Sequence, residues 1–414
     1  VAEQVYDKAQ IAPQAGTFAV PGASVPAITI LPVTEAPIIE LDRATQYPTE
    51  DYGTNEKNHA ARGYHGVRGG SLPLNGELTY EQAMHLFEMH YAGGVVPSAT
   101  TVAITSSSVA NPTVITTTAP HGLTVGDVVQ VIIAGHSGST PTINGTRLAT
   151  VTGASTFTIP VNVTVGGTGG TVAIPPFTWV YLLEKGAPTL VPYTVETGSE
   201  TSQDQWEGVG VLIDELTLGF SDLDAPGAHP WTFQATCKCL NRVAAAVTAS
   251  LDSTAIETLQ GQNSLFKDGP VSTAFASLSE IAATLKAFSI TTRRYLTFRA
   301  YGGTGDIPTG YGFSAKTVGE VSAKLRITST TETNIHNIWA AAGSVLGERR
   351  WRITTPGSGT KTAHLDMRVG ELKVDISDVD GERVYDVSGE TASDATLTAQ
   401  AGWSVLNGIA DLTP

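Results

Sequence analysis

The stretch SATTVAITSSSVANPTVITTTAPHGLTVGDVVQVIIAGHSGSTPTINGTRLATVTGASTFTIPVNVTVGGTGGTVAIPP, residues 98–176, has two charged side chains in 79 residues, Asp127 and Arg147. The other 335 residues carry 61. Short β-branched runs alternate with turn signals. The runs are Val102 to Thr105, Val114 to Thr118, Val128 to Ile133, Thr146 to Val151, Thr156 to Val161 and Thr171 to Ile174. Turns fall at Pro120-His121-Gly122, Gly135 to Gly138, Asn144-Gly145 and Gly166 to Gly170. Strands this short and regular predict a small antiparallel sandwich. Its neutrality between charged flanks predicts an insertion carried on a loop.

Outward from this segment, the 414-residue chain is long enough for two or three domains. Hydrophobic residues make up 41%, which suffices for real cores, and no apolar run reaches the ~18 residues of a membrane span. Val1 to Gln10 carries Glu3, Asp7 and Lys8, unlike a secretory leader. The net charge of −15 argues against a protein that grips nucleic acid through clustered Lys and Arg, but not against a surface that nucleic acid slides past. Cys237 and Cys239 are the only cysteines. Their i, i+2 spacing suits small residues on one strand face better than a disulfide or a metal site.

The flanks alternate strand and helix signals. Gly16 to Val20, Ile28 to Val33 and Pro37 to Leu41 read as strands. Asp42 to Gly70 is long and polar, and reads as an arm that orders against a neighbouring subunit. Thr79 with Gln82 forms a capping box before Met84, Phe87 and Tyr91, one apolar stripe that ends at Gly93-Gly94. The same pattern recurs 250 positions on: Ser329 with Glu332, then Ile335, Ile338 and Trp339, then Gly343. Each helix follows a strand (Ser71 to Leu78, Val321 to Thr328). Each precedes further strands, at Pro192 to Glu196 and Val211 to Phe220, and at Arg349 to Thr354 and Glu371 to Val379. Two divergent copies of one unit are expected. Later strands have period two. Leu372, Val374 and Ile376 oppose Glu371, Lys373 and Asp375, and Asp380-Gly381 turns the chain into Arg383 to Val387.

Catalytic constellations are missing from the sequence. His85, Glu88 and His90 lack the H-E-x-x-H spacing and read as solvated or capping side chains. Asp375, Asp378 and Asp380 lack the acidic residue near position 387 that a calcium loop needs. The glycine runs lack the Lys-Ser/Thr of a P-loop, and no G-x-S-x-G elbow occurs. The reading is of a non-enzyme with no catalytic residue, cofactor or metal.

Residues 118–172, through His121-Gly122-Leu123, Gly126-Asp127, Ile143-Asn144-Gly145-Thr146 and Thr156-Phe157-Thr158, resemble an Ig-like β-sandwich module of bacteriophage structural proteins. The flanks resemble the tail tube (major tail) proteins of long-tailed, siphovirus-type phages. They do so through GELTYEQAMHLFEMHYAGG (76–94), PYTVETGS (192–199), EGVGVLIDELTLGFSD (207–222), the Asp380-Gly381 hairpin and Asn407. The resemblance implies a mainly β fold. Two tandem tail-tube-type sandwich or barrel domains, each with a flanking helix, would occupy 1–97 with 177–262, and 263–414. The small sandwich would be inserted at 98–176. It implies a virion protein, assembled in the host cytoplasm, that polymerises as stacked rings into the conduit for DNA ejection. Its partners would be other copies of itself, a tape measure protein, tail terminator and tail-tip proteins and, transiently, phage DNA, with no membrane insertion. Six tube domains per ring would then mean a homotrimer with pseudo-sixfold symmetry, or else a hexamer. Glu215 and Thr217, and Glu371, Lys373 and Asp375, are the expected lumen-facing residues. The alternative is a distal-tail or capsid decoration protein that binds cell surfaces through 98–176.

Overall fold

The structure is a computed structural model. It describes residues 8–17, 20–34, 37–42, 45–46, 64–65, 69–93, 98–184, 190–198, 205–221, 223, 227–249, 251, 256–282, 284–299, 308–313, 318–336, 347–379, 382–409 and 412. The protein is mainly β: among the described residues 59% lie in strands and two short helices occur, so tertiary strand pairing dominates its architecture.

The first part of the chain forms β1 (Lys8–Pro13), β2 (Gly16–Thr17), β3 (Val20–Pro21), β4 (Thr29–Leu31), β5 (Glu40–Asp42), β6 (Thr45–Gln46), β7 (Tyr64–His65), β8 (Gly69–Glu77), α1 (Ala83–His90) and β9 (Ala92–Gly93). The uncharged segment supplies β10 (Ser98–Ser107), β11 (Thr113–Thr117), β12 (Val128–Ala134), β13 (Gly145–Gly153), β14 (Thr156–Ile159) and the start of β15 (Thr171–Leu182). β16 (Tyr193–Gly198), β17 (Trp206–Phe220), β18 (Thr232–Cys239) and β19 (Asn241–Ala244) complete the first half. The second half runs through β20 (Leu265–Pro270), β21 (Ser279–Glu280), β22 (Leu285–Arg293), β23 (Thr297–Arg299), β24 (Gly310–Gly312), β25 (Val318–Arg326), α2 (Ser329–Thr331), β26 (Arg349–Pro356), β27 (Thr362–Val379), β28 (Glu382–Ala392) and β29 (Ala401–Asn407).

Eight antiparallel pairings occur twice, in the same chain order. β1–β4, β5–β8, β6–β7, β1–β16, β16–β17, β17–β18, β8–β18 and β17–β19 in the first half match β20–β21, β22–β25, β23–β24, β20–β26, β26–β27, β27–β28, β25–β28 and β27–β29 in the second. In both halves the long strand serves two sheets. β17 pairs β16 and β19 through its first residues, and β18 through the rest. β27 does the same with β26, β29 and β28. Each bends where its ladder shifts register, between Ile213 and Glu215 and between Gly370 and Lys373. An extra residue on one strand increases local twist and lets one strand turn from sheet to sheet.

The repeat is offset by 249 positions at the helix, not 250. The second helix is capped by Thr328, whose hydroxyl accepts from the Thr331 N–H at 3.2 Å, while the Thr331 hydroxyl accepts from the Thr328 N–H at 2.8 Å. Ser329 is already helical, so Ser329 with Glu332 is not the capping box. Burial explains the shift. An offset of 249 carries the buried Leu72, Leu74 and Leu78 onto Val321, Ala323 and Ile327, whereas 250 would place them on Ser322, Lys324 and Thr328. One α-turn and a π-helical turn (Glu332–His336) follow the cap, and the expected stripe beyond them, Ile338 and Trp339, lies outside the described residues. In the first half the Thr79 hydroxyl accepts from the Gln82 N–H at 3.1 Å. The Gln82 side chain does not complete the box, because it reaches the Ile30 carbonyl instead.

The halves share one core. Trp231, between β17 and β18, sits 5.1 Å from Phe220, 5.7 Å from Phe288 and 5.6 Å from Trp403, so its contacts span both halves. Its indole N–H donates to the Ser264 hydroxyl at 3.0 Å. The module has a separate core of Ile104, Ile115, Val131, Ile133, Phe157, Ile159 and neighbours. Its strands fall where alternation places them. β15 leaves the module at Ile174 and continues as a strand of the main body, with Phe177 to Leu182 laddered to β29. The inbound strand starts at Ser98, opposite Thr178. The module's two ends are therefore one strand spacing apart, about 5 Å.

Most of Asp42 to Gly70 falls outside the described residues (43–44, 47–63, 66–68), as does the Asp380-Gly381 turn. Thr45 opposite His65 marks the base of a hairpin, and the β27–β28 ladder runs to Val379 opposite Glu382.

Two outcomes follow. Replacing 98–176 by a short Gly/Ser linker should leave the main body folded, with its thermal transition retained in calorimetry, because the module has its own core and adjacent ends. Loss of that transition would contradict the module's independence. Trp231→Ala should cost about 3–5 kcal/mol in denaturant unfolding, since it opens a cavity where both halves meet.

Candidate functional site

All five expected lumen residues belong to the sheet that runs β5-β8-β18-β17-β22-β25-β28-β27. Glu215 and Thr217 stand on the side of β17 away from the core, where Leu216 and Leu218 are fully buried. The Arg293 Nε lies 2.8 Å from the Glu215 Oε2, and Thr217 and Thr291 share a hydroxyl hydrogen bond of 2.8 Å. From there the polar face continues through Glu320 on β25 and Ser388 and Glu390 on β28 to Glu371 and Lys373 on β27. Together with Ser289 and Thr291 these residues line a groove of about 400 Å³. Asp375, two residues further along β27, is exposed opposite Asp386. Glu371 adopts a left-handed φ of 52° at the bulge.

Alternation along β27 holds in part. Leu372 and Val374 are buried as expected, but Ile376 is 55% exposed although it follows them on the core side. Beyond Gly370, one edge of β27 has no strand beside it among the described residues.

The histidines of α1 differ from the sequence expectation. Seven of the eight helix residues are buried, His85 and His90 among them, because the helix lies against strands rather than water. His85 Nδ1 is 2.9 Å from the Tyr193 hydroxyl, which donates to Glu88 at 2.7 Å. His90 Nε2 is 2.7 Å from the Thr292 hydroxyl, and its Nδ1 is 3.1 Å from the Ile213 carbonyl. Arg294, 1% exposed, donates to the His90 carbonyl at 2.7 Å and to the Glu184 carbonyl at 2.9 Å. Burial pulls His85 down to about 4. Burial, reinforced by the Arg294 charge, pulls His90 down to about 3. Burial likewise lowers Arg294 to about 10. These partners lie more than 100 residues away in sequence, so no local signal announces the network.

Cys237 and Cys239 are buried free thiols on β18, where burial raises both, Cys239 to about 12, and leaves them protonated packing groups. Among the described residues no three His, Cys, Asp or Glu side chains gather as metal ligands, and no helix is long and apolar enough to cross a membrane. In comparison with known proteins, no family model matches the chain and no curated sequence is significantly similar to it.

The histidine network sets a pH dependence. Both imidazoles bind protons less readily folded than unfolded, where the value is about 6.5. Their contribution is therefore complete above pH 6.5 and is lost as pH falls towards 4 and then 3. Thermal melts should show the transition falling from pH 7 to pH 4, with a shallower slope in His90→Gln. Equal slopes in the two proteins would contradict this role for His90.

Proposed function

We propose that the protein is a tail tube subunit of a long-tailed bacteriophage, a structural virion protein that stacks in rings around the path of the ejected DNA. The observation that carries this reading is the doubled pairing scheme, in which two equivalent units join edge to edge through β17 and β22. A unit that continues its sheet into a copy of itself within the chain is suited to continue it between chains. Repetition of one heterologous contact gives a ring where the rotation closes. Exposed sheet edges are otherwise a hazard that proteins cover or pair.

With two units per chain, three chains supply six, and the ring is a homotrimer with pseudo-sixfold symmetry. The polar groove face, from Glu215 and Thr217 to Glu371, Lys373 and Asp375, then lines the bore. Three chains at −15 each favour passage of a phosphate backbone without adhesion. The module sits outside, where a surface nearly free of charge does no harm. Contacts with tape measure, terminator and tip proteins follow from this role, as does virion assembly in the host cytoplasm.

Negative-stain microscopy of the purified protein tests the reading. Rings or tubes with three outer knobs per ring, alternating with bare positions, are expected. Six knobs per ring would replace the trimer with a hexamer. A monodisperse monomer that attaches to another particle through 98–176 would overturn the tube reading in favour of a decoration protein.

A further inference from the structure

The two halves are equivalent in pairing, yet one corresponding position in each differs sharply in exposure. Leu216 lies opposite Ala235 and Val374 opposite Val387, while β8 and β25 meet those partner strands at Leu74 and Ala323. This equivalence carries Glu215 onto Lys373, Thr217 onto Asp375 and Leu218 onto Ile376. Leu218 is fully buried, because Ile290 of β22 stands opposite it. Ile376 is 55% exposed: it faces Tyr385 of β28 on one side, and among the described residues no strand lies beside it on the other. Among the described residues, the edge that β22 covers in the first half has no strand beside it in the second.

The strand equivalent to β22 is β5. Glu40 faces Ser71 as Thr291 faces Glu320, and Asp42 faces Gly69 as Arg293 faces Val318. Ile39 therefore corresponds to Ile290, and both are buried, at 2% and 0%. β5 pairs only with β8 among the described residues, so its outer edge is open as well. Each chain thus carries the two complementary halves of its own internal junction at opposite ends of one sheet.

We infer that β27 of one copy pairs antiparallel with β5 of the next, in the register of the internal β17–β22 ladder. The ladder Glu215–Arg293, Leu216–Thr292, Thr217–Thr291, Leu218–Ile290 then becomes Lys373–Asp42, Val374–Leu41, Asp375–Glu40, Ile376–Ile39 across the copies. The internal junction holds a Glu215–Arg293 ion pair, and the intermolecular register puts opposite charges at the same position with their order reversed. Ile376, 55% exposed in the single chain, gains Ile39 as an apolar neighbour. Asp375 opposite Glu40 is the one like-charge pair, and Lys373 lies two residues away on the same strand face. The charge order also disfavours one wrong pairing, because β5 meeting a second β5 would set the acidic Glu40 and Asp42 against each other. The inference rests on the self-assembling reading above and goes beyond it by naming the edges and the register.

Directly opposed residues in an antiparallel ladder have Cα atoms about 4.5–5.5 Å apart, within disulfide reach. The test is Lys373→Cys with Asp42→Cys in one full-length chain, assembled and mildly oxidised. The single variants serve as controls, and Lys373→Cys with Glu40→Cys serves as the register-shifted comparison. Non-reducing gels should show dimers and trimers for the in-register pair, at least about fivefold above the shifted pair. Rings or tubes seen by microscopy with no preferential cross-link would overturn the edge pairing and leave the tube reading standing. Cross-linked oligomers without tubes would uphold the pairing and overturn the tube. Protein that stays monomeric overturns both. A second measurement avoids cysteines. Lys373→Glu should raise the concentration needed for assembly about tenfold, and adding Asp42→Lys should restore it. Failure of that rescue, with both variants folded, counts against the register.

Discussion

Six residues of β17, Glu215 to Phe220, laddered to β22, hold the molecule together. Without that ladder each half would present a row of unpaired backbone donors and acceptors where the other half now sits, and the core under Leu218 and Ile290 would open to water. The net worth of a single hydrogen bond in water is modest, about 1 kcal/mol. The larger consequence is geometric. The ladder fixes the register of one half against the other, and with it which side chains of the long sheet face the core and which form the polar groove, since a one-residue slip would exchange the two faces. Trp231, Phe288 and Trp403 pack beneath it only in that register.

The bulges in β17 and β27 complement this constraint. A strand of 15 or 18 residues with strict alternation would have to stay in one sheet. The extra residue lets its first part face one set of partners and its second part another, so each long strand bridges two sheets without a loop. α1 fits against this frame, and its two buried histidines are satisfied by strand residues rather than by solvent.

Much of this was legible in the sequence, for identifiable reasons. The module's strands alternate cleanly and have unambiguous turns, so Val114 to Thr118 or Val128 to Ile133 could be placed to within about a residue. The helix at Ala83 and the strand before it were readable from the cap and the apolar spacing. The repeat was visible, but one residue out, because Ser329 with Glu332 makes a better-looking capping box than Thr328 with Thr331, and only the burial pattern of β25 decides between them. The burial of His85 and His90 was not readable, since Tyr193 and Thr292 come from distant strands. Nor was the exposure of Ile376, because alternation reports which side of a sheet a residue takes and not whether a neighbour covers the sheet's edge. The five candidate face residues were found because they alternate with Leu216, Leu218, Leu372 and Val374. That Glu215 and Lys373 occupy equivalent positions needed the ladders.

The unbroken run of β15 from Thr171 to Leu182 has a mechanical consequence. A force applied to the module along that strand reaches the main body through six residues laddered to β29, all loaded at once in shear. Bonds loaded together in that direction resist far better than bonds peeled one at a time from a hairpin end. The attachment is thus stiff against lengthwise pull, and a tug on the module is felt at β29 and the aromatic core beneath it before any part of the module has to unravel.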